Sequence, residues 1–376
     1  MRVVIASKTF VFDAAQRQLE WLACQPDVDL TLVTPQEWRS DDGRLLPFVP
    51  RFTRGYHARL LPVRFNGKYH FYLYRGLSDV IRELKPDIVH IDEEPYNPAG
   101  AQAQRLADRV GARSVFVVLQ NLYKAYPPPF SLLEQFNYRH TAHIIACNAS
   151  AGGVVRRKGY RGPLSTFSVY GVDPELYAPR LRPARGPEVV IGYIGRLVLY
   201  KGLGVLIRAL AGLPGHCRLR LVGSGPDKDE LERMARDLGV SDRVEFAPAV
   251  AAADVPDVLN GMDIFVLPSL TQPNWMEQFG RVLIEAMGCG VPVVGSDSGE
   301  IPHVVGDAGV IAPEGNVEAL RDALAALAGD PARRLSLAQQ GRARVLAHYT
   351  QEQVARDIHR VYREILAERP LARGAS

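Results

Sequence analysis

Two carboxylates, Glu277 and Glu285, bracket the run Glu-Gln-Phe-Gly-Arg-Val-Leu-Ile-Glu with seven residues between them. A helix starting near Phe279 would leave Glu277 just before its N-terminus and carry Glu285 within it. If both were helical, they would lie about 80° apart around the axis and ~12 Å apart along it. Carboxylates so spaced cannot act as a close acid–base pair. They can hydrogen-bond two separate polyhydroxylated groups. A nucleotide sugar carries two, its ribose and its transferred sugar, with a diphosphate between them. The N–H groups of Phe279 and Gly280 would face that diphosphate from the helix start. The plainer reading is that Glu277 only complements the helix dipole and Glu285 is a solvated helix residue.

Cations suited to a diphosphate stand upstream, in Gly192-Tyr-Ile-Gly195-Arg196-Leu-Val-Leu-Tyr-Lys201-Gly202. Glycines 192 and 195 let the backbone approach a ligand closely. Arg196 and Lys201 can clamp a diphosphate, the guanidinium fork matching phosphate oxygens. The helix beginning near Leu203 adds its positive end. The plainer reading is a glycine turn with two surface cations. A second turn, Leu221-Val-Gly223-Ser-Gly225-Pro-Asp227, is not the dinucleotide fingerprint, because Lys228 stands where the third glycine would fall. It reads either as a backbone contact to phosphate or ribose, or as a tight turn in which Pro226 and Asp227 start a helix. Two DxD triplets, Asp27-Val-Asp29 and Asp227-Lys-Asp229, have the pattern that holds a divalent metal in other architectures. The first reads as a solvated turn before a strand, the second as acids at a helix start. No essential metal is expected, because Arg196, Lys201 and a helix end supply the positive charge.

These motifs need strands and helices to place them. Val3–Ala6, Leu30–Val33, Ile88–Ile91, Val115–Leu119 and Ile144–Ala146 are apolar runs that read as strands buried on both faces. Helical stretches at Asp13–Cys24, Tyr69–Leu84 and Ala99–Val110 lie between them. Residues 174–188, with four prolines and no period, read as a linker. A second series follows, with strands at Val189–Ile194, Arg218–Val222, Arg243–Phe246, Ile264–Leu267 and Pro292–Ser296. Its helices fall near Leu203–Leu213, Asp229–Leu238, Phe279–Met287 and Val317–Leu327. Alternating strands and helices mean two α/β, doubly wound, Rossmann-like domains. The expected division is an N-terminal acceptor-side domain over 1–173, the linker, and a nucleotide-sugar-binding domain over 189–350. A C-terminal helix and tail over 351–376 follow, the helix packing back on the N-terminal domain. Val354, Ile358, Val361 and Ile365 give that helix its apolar stripe. In such sheets ligands bind beyond the carboxyl ends of the strands, so two facing domains place a cleft between them.

The C-terminal half resembles the family 4 retaining glycosyltransferases, which have the two-domain GT-B fold. The resemblance rests on motifs in chain order. Tyr170-Gly-Val-Asp173 is similar to the segment ending the first domain. Gly195-Arg196 through Lys201-Gly202 is similar to the diphosphate clamp, and Leu221 through Gly225 to the second glycine turn. Met262-Asp263-Ile-Phe-Val-Leu-Pro268-Ser269 precedes the paired glutamates, and Gly290-Val-Pro-Val-Val and Ser296-Asp297 follow them. The resemblance implies that Arg196 and Lys201 stabilise the departing diphosphate. It implies that Glu277 and the backbone at Phe279 and Gly280 hold the transferred sugar, and that Glu285 takes the ribose hydroxyls. Gly195, Gly223 and Gly225 would line the donor, with the base read by backbone near Val250. Transfer would retain configuration by a front-face mechanism, the leaving phosphate oxygen helping to deprotonate the acceptor. The N-terminal half departs from the pattern. The loop after the first strand, Ser7 to Phe12, lacks a glycine pair, and Gln120-Asn121 stand where many members have a histidine. Gln120 cannot act as a base but can donate and accept hydrogen bonds. In His90-Ile-Asp92-Glu93-Glu94-Pro95 the carboxylates could orient an acceptor hydroxyl or form a solvated loop, the latter more for Asp92 and Glu93 than for Glu94, so Glu94 and, further on, Asn121 are the acceptor-side candidates, and His90 reads as buried.

Composition bounds the remainder. The 376 residues are 47% hydrophobic and 23% charged, which excludes disorder for the bulk of the chain. Four cysteines with no CxxC pair read as reduced thiols, not a zinc site. No signal peptide or membrane-spanning run is visible, so the expected location is the cytoplasm with peripheral membrane association open. The net +4 divides unevenly: residues 1–182 hold 24 Lys+Arg against 17 Asp+Glu. Much of that excess lies in residues 44–75, where Arg44, Arg51, Arg54, Arg59, Arg64, Lys68 and Arg75 occur with no acid. Phe48, Phe52, Tyr56, Phe65, Tyr69, Phe71, Tyr72 and Tyr74 interleave with them. This is either a surface for anionic headgroups or a phosphate-bearing acceptor, or a solvated loop whose aromatics pack inward. Tyr123 through Phe130, with three consecutive prolines, reads as an ordered acceptor-side loop or a rigid spacer. No nucleic-acid motif accompanies the charge. The expected partners are a UDP- or GDP-linked sugar and an acceptor glycan, glycolipid or small-molecule hydroxyl, with no cofactor. An NDP-sugar epimerase or hydrolase on the same fold, or a non-catalytic nucleotide-sugar-binding module, are the alternatives.

Overall fold

A computed structural model describes residues 1–11, 15–40, 43–180 and 186–367. Phe12, the helix start at Asp13, residues 181–185 of the linker and the tail after Pro370 lie outside the described residues. The chain divides into two units, Met1–Gly171 with 351–367, and Val172–Thr350.

Unit 1 is built on seven parallel strands. Their spatial order is Leu164–Thr166, His143–Ala146, Arg113–Val118, Ile88–Ile91, Arg2–Ala6, Asp29–Pro35, Tyr56–Leu61. Alternation along the first strand sends Val3 and Ile5 to one face and Val4 and Ala6 to the other, so each face carries its own core. On the Val3 face, helix Gln351–Ala367 lays Val354, Ile358, Val361 and Ile365 against the sheet. The other face takes helices Leu77–Leu84, Pro98–Val110 and Ala149–Arg157.

One sequence expectation fails in the basic aromatic stretch. The helix expected from Tyr69 starts at Leu77, because Leu73–Tyr74 pair antiparallel with Val63–Arg64. Tyr69 and Tyr72 mimic helical spacing but pack on Trp38 from an irregular segment. The stretch also contributes the strand Tyr56–Leu61 at the sheet edge.

Unit 2 repeats the plan with six parallel strands, ordered Val244–Ala247, Cys217–Val222, Val189–Ile194, Ile264–Leu267, Val293–Ser296, Gly309–Ala312. The order reverses between Val189–Ile194 and Ile264–Leu267. In unit 1 it reverses between Arg2–Ala6 and Ile88–Ile91. Such reversals open the crevice where doubly wound sheets bind ligands. Gly192, read as a ligand approach, serves packing instead: an added Cβ would overlap the Met262 side chain. Val172, where unit 2 begins, donates its N–H to Tyr349 O at 2.9 Å. Residues 172–180 are held to this unit by Arg342, whose guanidinium donates to the carbonyls of Pro174, Tyr177 and Gly288. Among the described residues no helix is long and apolar enough to cross a membrane.

Candidate active site

In unit 2 the loops following the strands converge at the reversal point. Leaving the strand Val189–Ile194, Gly195 donates its N–H to Val222 O at 3.0 Å, and Leu197 to Ser224 O at 2.9 Å. Gly223 has φ +152, and an added Cβ there would overlap the Gly195 carbonyl oxygen. Gly225 lies equally tight against Leu197 O. The glycines thus let the two turns nest against each other, which ties Gly195, Gly223 and Gly225 into one surface. Asp227 stands at the N-cap of the helix Lys228–Asp237, but its side chain makes no capping hydrogen bond there. Its carboxylate accepts the Leu199 N–H at 2.7 Å and fixes the turn Leu199–Lys201 that carries the lysine. In the other DxD triplet, Asp27 pairs with His359 at 2.6 Å.

Lys201 and Glu277, far apart in the chain, meet here. The lysine Nζ donates to Glu277 Oε2 at 2.6 Å, and Ser269 Oγ donates to the same oxygen at 2.8 Å. Ser269 is placed in turn by Ser296, whose Oγ donates to the Ser269 carbonyl at 2.6 Å. Glu300 N–H holds the Glu277 carbonyl at 3.2 Å. Glu277 is buried, whereas Arg196 is exposed and its side chain has no hydrogen-bond or ion-pair partner among the described residues. The region therefore combines a compensated cation–carboxylate pair with an uncompensated guanidinium. An anion can recruit both cations, and the displaced carboxylate can then accept from hydroxyls.

The helix after Glu277 starts later than its sequence implied, at Arg281. Gly280 is its N-cap, in the left-handed region at φ +77, with Leu267 and Leu283 crowding the place a Cβ would take. The Phe279 ring turns inward onto Tyr349, 5.8 Å between centroids. Glu277 is thus outside the helix, and the helical estimate of its separation from Glu285 does not apply. Nor is Glu285 solvated. It is buried, accepts from Arg281 Nε at 2.8 Å, and faces Tyr177. Burial pushes its carboxyl upward, opposed by Arg281. Val250 is exposed between the strand Val244–Ala247 and the turn Ala252–Asp254.

Unit 1 carries a polar cluster at its own reversal point. Ser7 Oγ donates to Asp92 at 2.6 Å and Lys8 Nζ to Glu93 at 2.6 Å, so the crevice between the first strand and Ile88–Ile91 is bridged from within. Glu93 is buried, not solvated as expected, and also receives Tyr72 Oη and Asn97 Nδ2. The Glu94 carboxylate accepts the N–H groups of Leu119 and Gln120 at 2.8 and 2.9 Å and so shapes the loop after Arg113–Val118. Burial pushes Glu94 up to about 7. Gln120 donates to Leu122 O at 2.8 Å and accepts from Tyr126 Oη at 2.9 Å, so both ends of its amide are engaged. Asn121 is buried beside it. His90 is buried, bonded to Tyr362 Oη at 2.7 Å and lowered to about 4 by burial.

Sequence reasoning missed Trp275, whose ring lies 4.6 Å from Lys201 Nζ. Its proximity to Glu277 in the chain was the available signal. It also missed His70, bonded to Tyr96 Oη at 2.8 Å, for which no motif gave a sign.

The sequence model of the family described as glycosyl transferases group 1 matches residues 180–344. The chain is 36% identical over 187 residues to a GDP-mannose-dependent alpha-(1-6)-phosphatidylinositol monomannoside mannosyltransferase of Mycolicibacterium smegmatis, covering 46% of this chain and 49% of that protein. The chain thus spans about half the length of that relative. It is 34% identical over 246 residues to the lipopolysaccharide core biosynthesis glycosyltransferase LpsE of Rhizobium meliloti, covering 63% of this chain and 67% of that protein. In fold it is similar to sucrose-phosphate synthase from Thermosynechococcus elongatus, with TM-score 0.74 and 19% identity over 98% of this chain and 100% of that one. The fold is GT-B, with two parallel-sheet α/β domains. The chain belongs to the group 1 glycosyl transferases.

Proposed function

We propose that the protein is a retaining glycosyltransferase of family 4 that moves a sugar from a nucleoside-diphosphate sugar to an acceptor hydroxyl without a metal ion. The observation that carries this reading is the Lys201–Glu277 pair at the reversal point of unit 2, beside the unpartnered Arg196 and the nested glycine turns. Arg196 and Lys201 take the diphosphate, and their attraction strengthens as charge develops on the leaving group. Glu277, released from Lys201, accepts hydroxyls of the transferred sugar, with backbone at Phe279 and Gly280 beside it. Glu285 takes the ribose, and backbone near Val250 the base. The bond from the anomeric carbon to the phosphate oxygen breaks as the bond to the acceptor oxygen forms on the same face. The acceptor proton passes to the leaving phosphate oxygen, so no protein nucleophile is needed.

The acceptor falls to unit 1, on the side of Glu94, Gln120 and Asn121. Gln120 orders the loop Leu122–Tyr126 instead of acting as a base. A GDP-linked donor is favoured, because the mycobacterial relative is GDP-mannose-dependent. A lipid-borne acceptor suits residues 44–75. There Arg51, Arg54, Arg59 and Arg64 are exposed, and the exposed rings of Phe65 and Phe71 lie 5.0 Å apart, while Tyr56, Tyr72 and Tyr74 pack inward.

The test is incubation with GDP- and UDP-sugars, with and without phosphoinositide, glycan and small polyol acceptors, the product's anomeric configuration being read by NMR. Acceptor-dependent release of nucleotide with retained configuration is expected. Release regardless of acceptor would mean hydrolysis, turnover within the donor epimerisation, and binding without release a non-catalytic module.

A further inference from the structure

We propose that Trp275 is a positioning residue for Lys201. Its indole face and the Glu277 carboxylate hold the ammonium between them and present it to the donor's diphosphate. The proposal rests on the reading of this region as a donor site and adds to it a residue that no motif identifies.

Three contacts define the arrangement. Lys201 Nζ stands 4.6 Å from the Trp275 ring centroid while bonded at 2.6 Å to Glu277. The Tyr200 ring packs on the indole at 4.6 Å, inclined by 51°. The backbone joins the two segments, since Leu270 donates its N–H to Tyr200 O at 2.8 Å. Gln272 and Trp275 exchange N–H···O bonds at 2.7 and 3.3 Å, which closes a tight turn and points the indole back toward the lysine. The indole is half-buried, and its N–H has no partner among the described residues. What fixes the ring is therefore packing on Tyr200 and Lys201, not a hydrogen bond of its own.

The physical need follows from lysine's chemistry. A four-carbon stem ending in a strongly hydrated point charge does not hold one position without support. A carboxylate alone would hold it too well, because an incoming diphosphate would compete with a full negative charge. The face of an indole attracts a cation through its quadrupole but carries no net charge. It can retain the ammonium while the ammonium exchanges Glu277 for phosphate, leaving Glu277 free for the sugar. An aliphatic side chain at 275 would leave that flank of the ammonium without attraction.

The test is a double-mutant cycle in binding of GDP and UDP, measured by calorimetry on wild type, Trp275→Leu, Trp275→Phe, Lys201→Met and the combined variants. Trp275→Leu is expected to weaken binding about five- to twentyfold, and Trp275→Phe, which keeps a ring face, to stay within about threefold of wild type. With Lys201→Met already present, Trp275→Leu is expected to change affinity less than about twofold. Equal losses in both backgrounds, or no rescue by phenylalanine, overturn the proposal. Should Trp275→Leu not fold, Trp275→Met, which also lacks a ring face but keeps more of the volume, carries the same cycle in the two lysine backgrounds. Wild-type protein that binds neither GDP nor UDP overturns the donor reading and this proposal with it. Additive losses in a wild type that does bind overturn this proposal alone.

Discussion

The ammonium of Lys201 lies 2.6 Å from a carboxylate oxygen of Glu277, although the two stand 76 positions apart in the chain. One group follows the first strand of unit 2 and the other the fourth, so the meeting is a product of the strand order. Without ligand the two charges neutralise each other. On the proposed reading, a diphosphate sugar offers the lysine a phosphate, and its hydroxyls take the place of the ammonium on the glutamate. The pair is thus prepared for an exchange that leaves neither charge stranded.

From this pairing, Lys201→Ala and Glu277→Ala are each expected to lower turnover at least ~100-fold, equivalent to ~2.7 kcal/mol of lost transition-state stabilisation. Steady-state kinetics with the donor identified by the panel above checks this. Turnover near wild type in either variant removes the pair from the reaction.

How much of this was legible beforehand differs by element. The strands Ile88–Ile91, Val189–Ile194 and Ile264–Leu267 could be read to the residue, because a strand buried on both faces is a near-continuous apolar run. The short hairpins within residues 37–74 could not, since edge pairs with one solvated face carry no such run. The residues of the lysine–glutamate pair stood out by their spacing within glycine-marked turns. Trp275 did not, because its contact with Lys201 depends on a turn closed by backbone bonds that any residue types could make. Glu93 could not be told from a solvated loop, since what buries it comes from Tyr72 and Asn97, and the backbone groups that bind Glu94 come from the distant loop at Leu119.

Stability should carry a pH signature from Glu300. Its carboxyl has no hydrogen-bond or ion-pair partner among the described residues, and burial pushes it from its ordinary 4.5 to about 7. Between those values the folded protein binds more protons than the unfolded chain, so stability falls as pH rises through that window and levels off above it. Solvent near the group trims the effect to about 1 kcal/mol, or roughly 2–4 °C in Tm. Thermal unfolding at pH 5 and pH 8 should show Glu300→Gln losing less Tm than wild type. Equal losses would mean the carboxyl ionises without cost.

Membrane contact through residues 44–75 has a direct measurement. Neutralising Arg51, Arg54, Arg59 and Arg64 together should lower co-sedimentation with vesicles containing phosphatidylserine, each charge contributing about 1 kcal/mol near an anionic surface. Phe65→Ser with Phe71→Ser should lower it further even at high salt, because insertion of apolar rings is not screened. Unchanged sedimentation in the arginine variant would show that the patch does not dock on anionic lipid.

Lys8 forms a second lysine–glutamate pair, in unit 1, whose carboxylate is buried as that of Glu277 is. Its partner Glu93 is buried under Tyr72 and Asn97, so the carboxyl, pushed up by burial, is pulled back by the lysine at 2.6 Å. Removing the lysine should therefore act on folding. Lys8→Met keeps most of the stem, removes the ammonium that stands 5.8 and 5.4 Å from the ring centroids of Tyr69 and Tyr72, and strands the carboxylate. A buried charge that loses its partner costs about 3–5 kcal/mol. The carboxyl can escape that cost by taking a proton, which it does more readily as pH falls. In urea unfolding, the stability difference between wild type and Lys8→Met should be largest at pH 8 and narrow toward pH 5. A difference that is the same at both pH values would mean that Lys8 contributes through the attraction of its ammonium to the two rings, not through its pairing with Glu93.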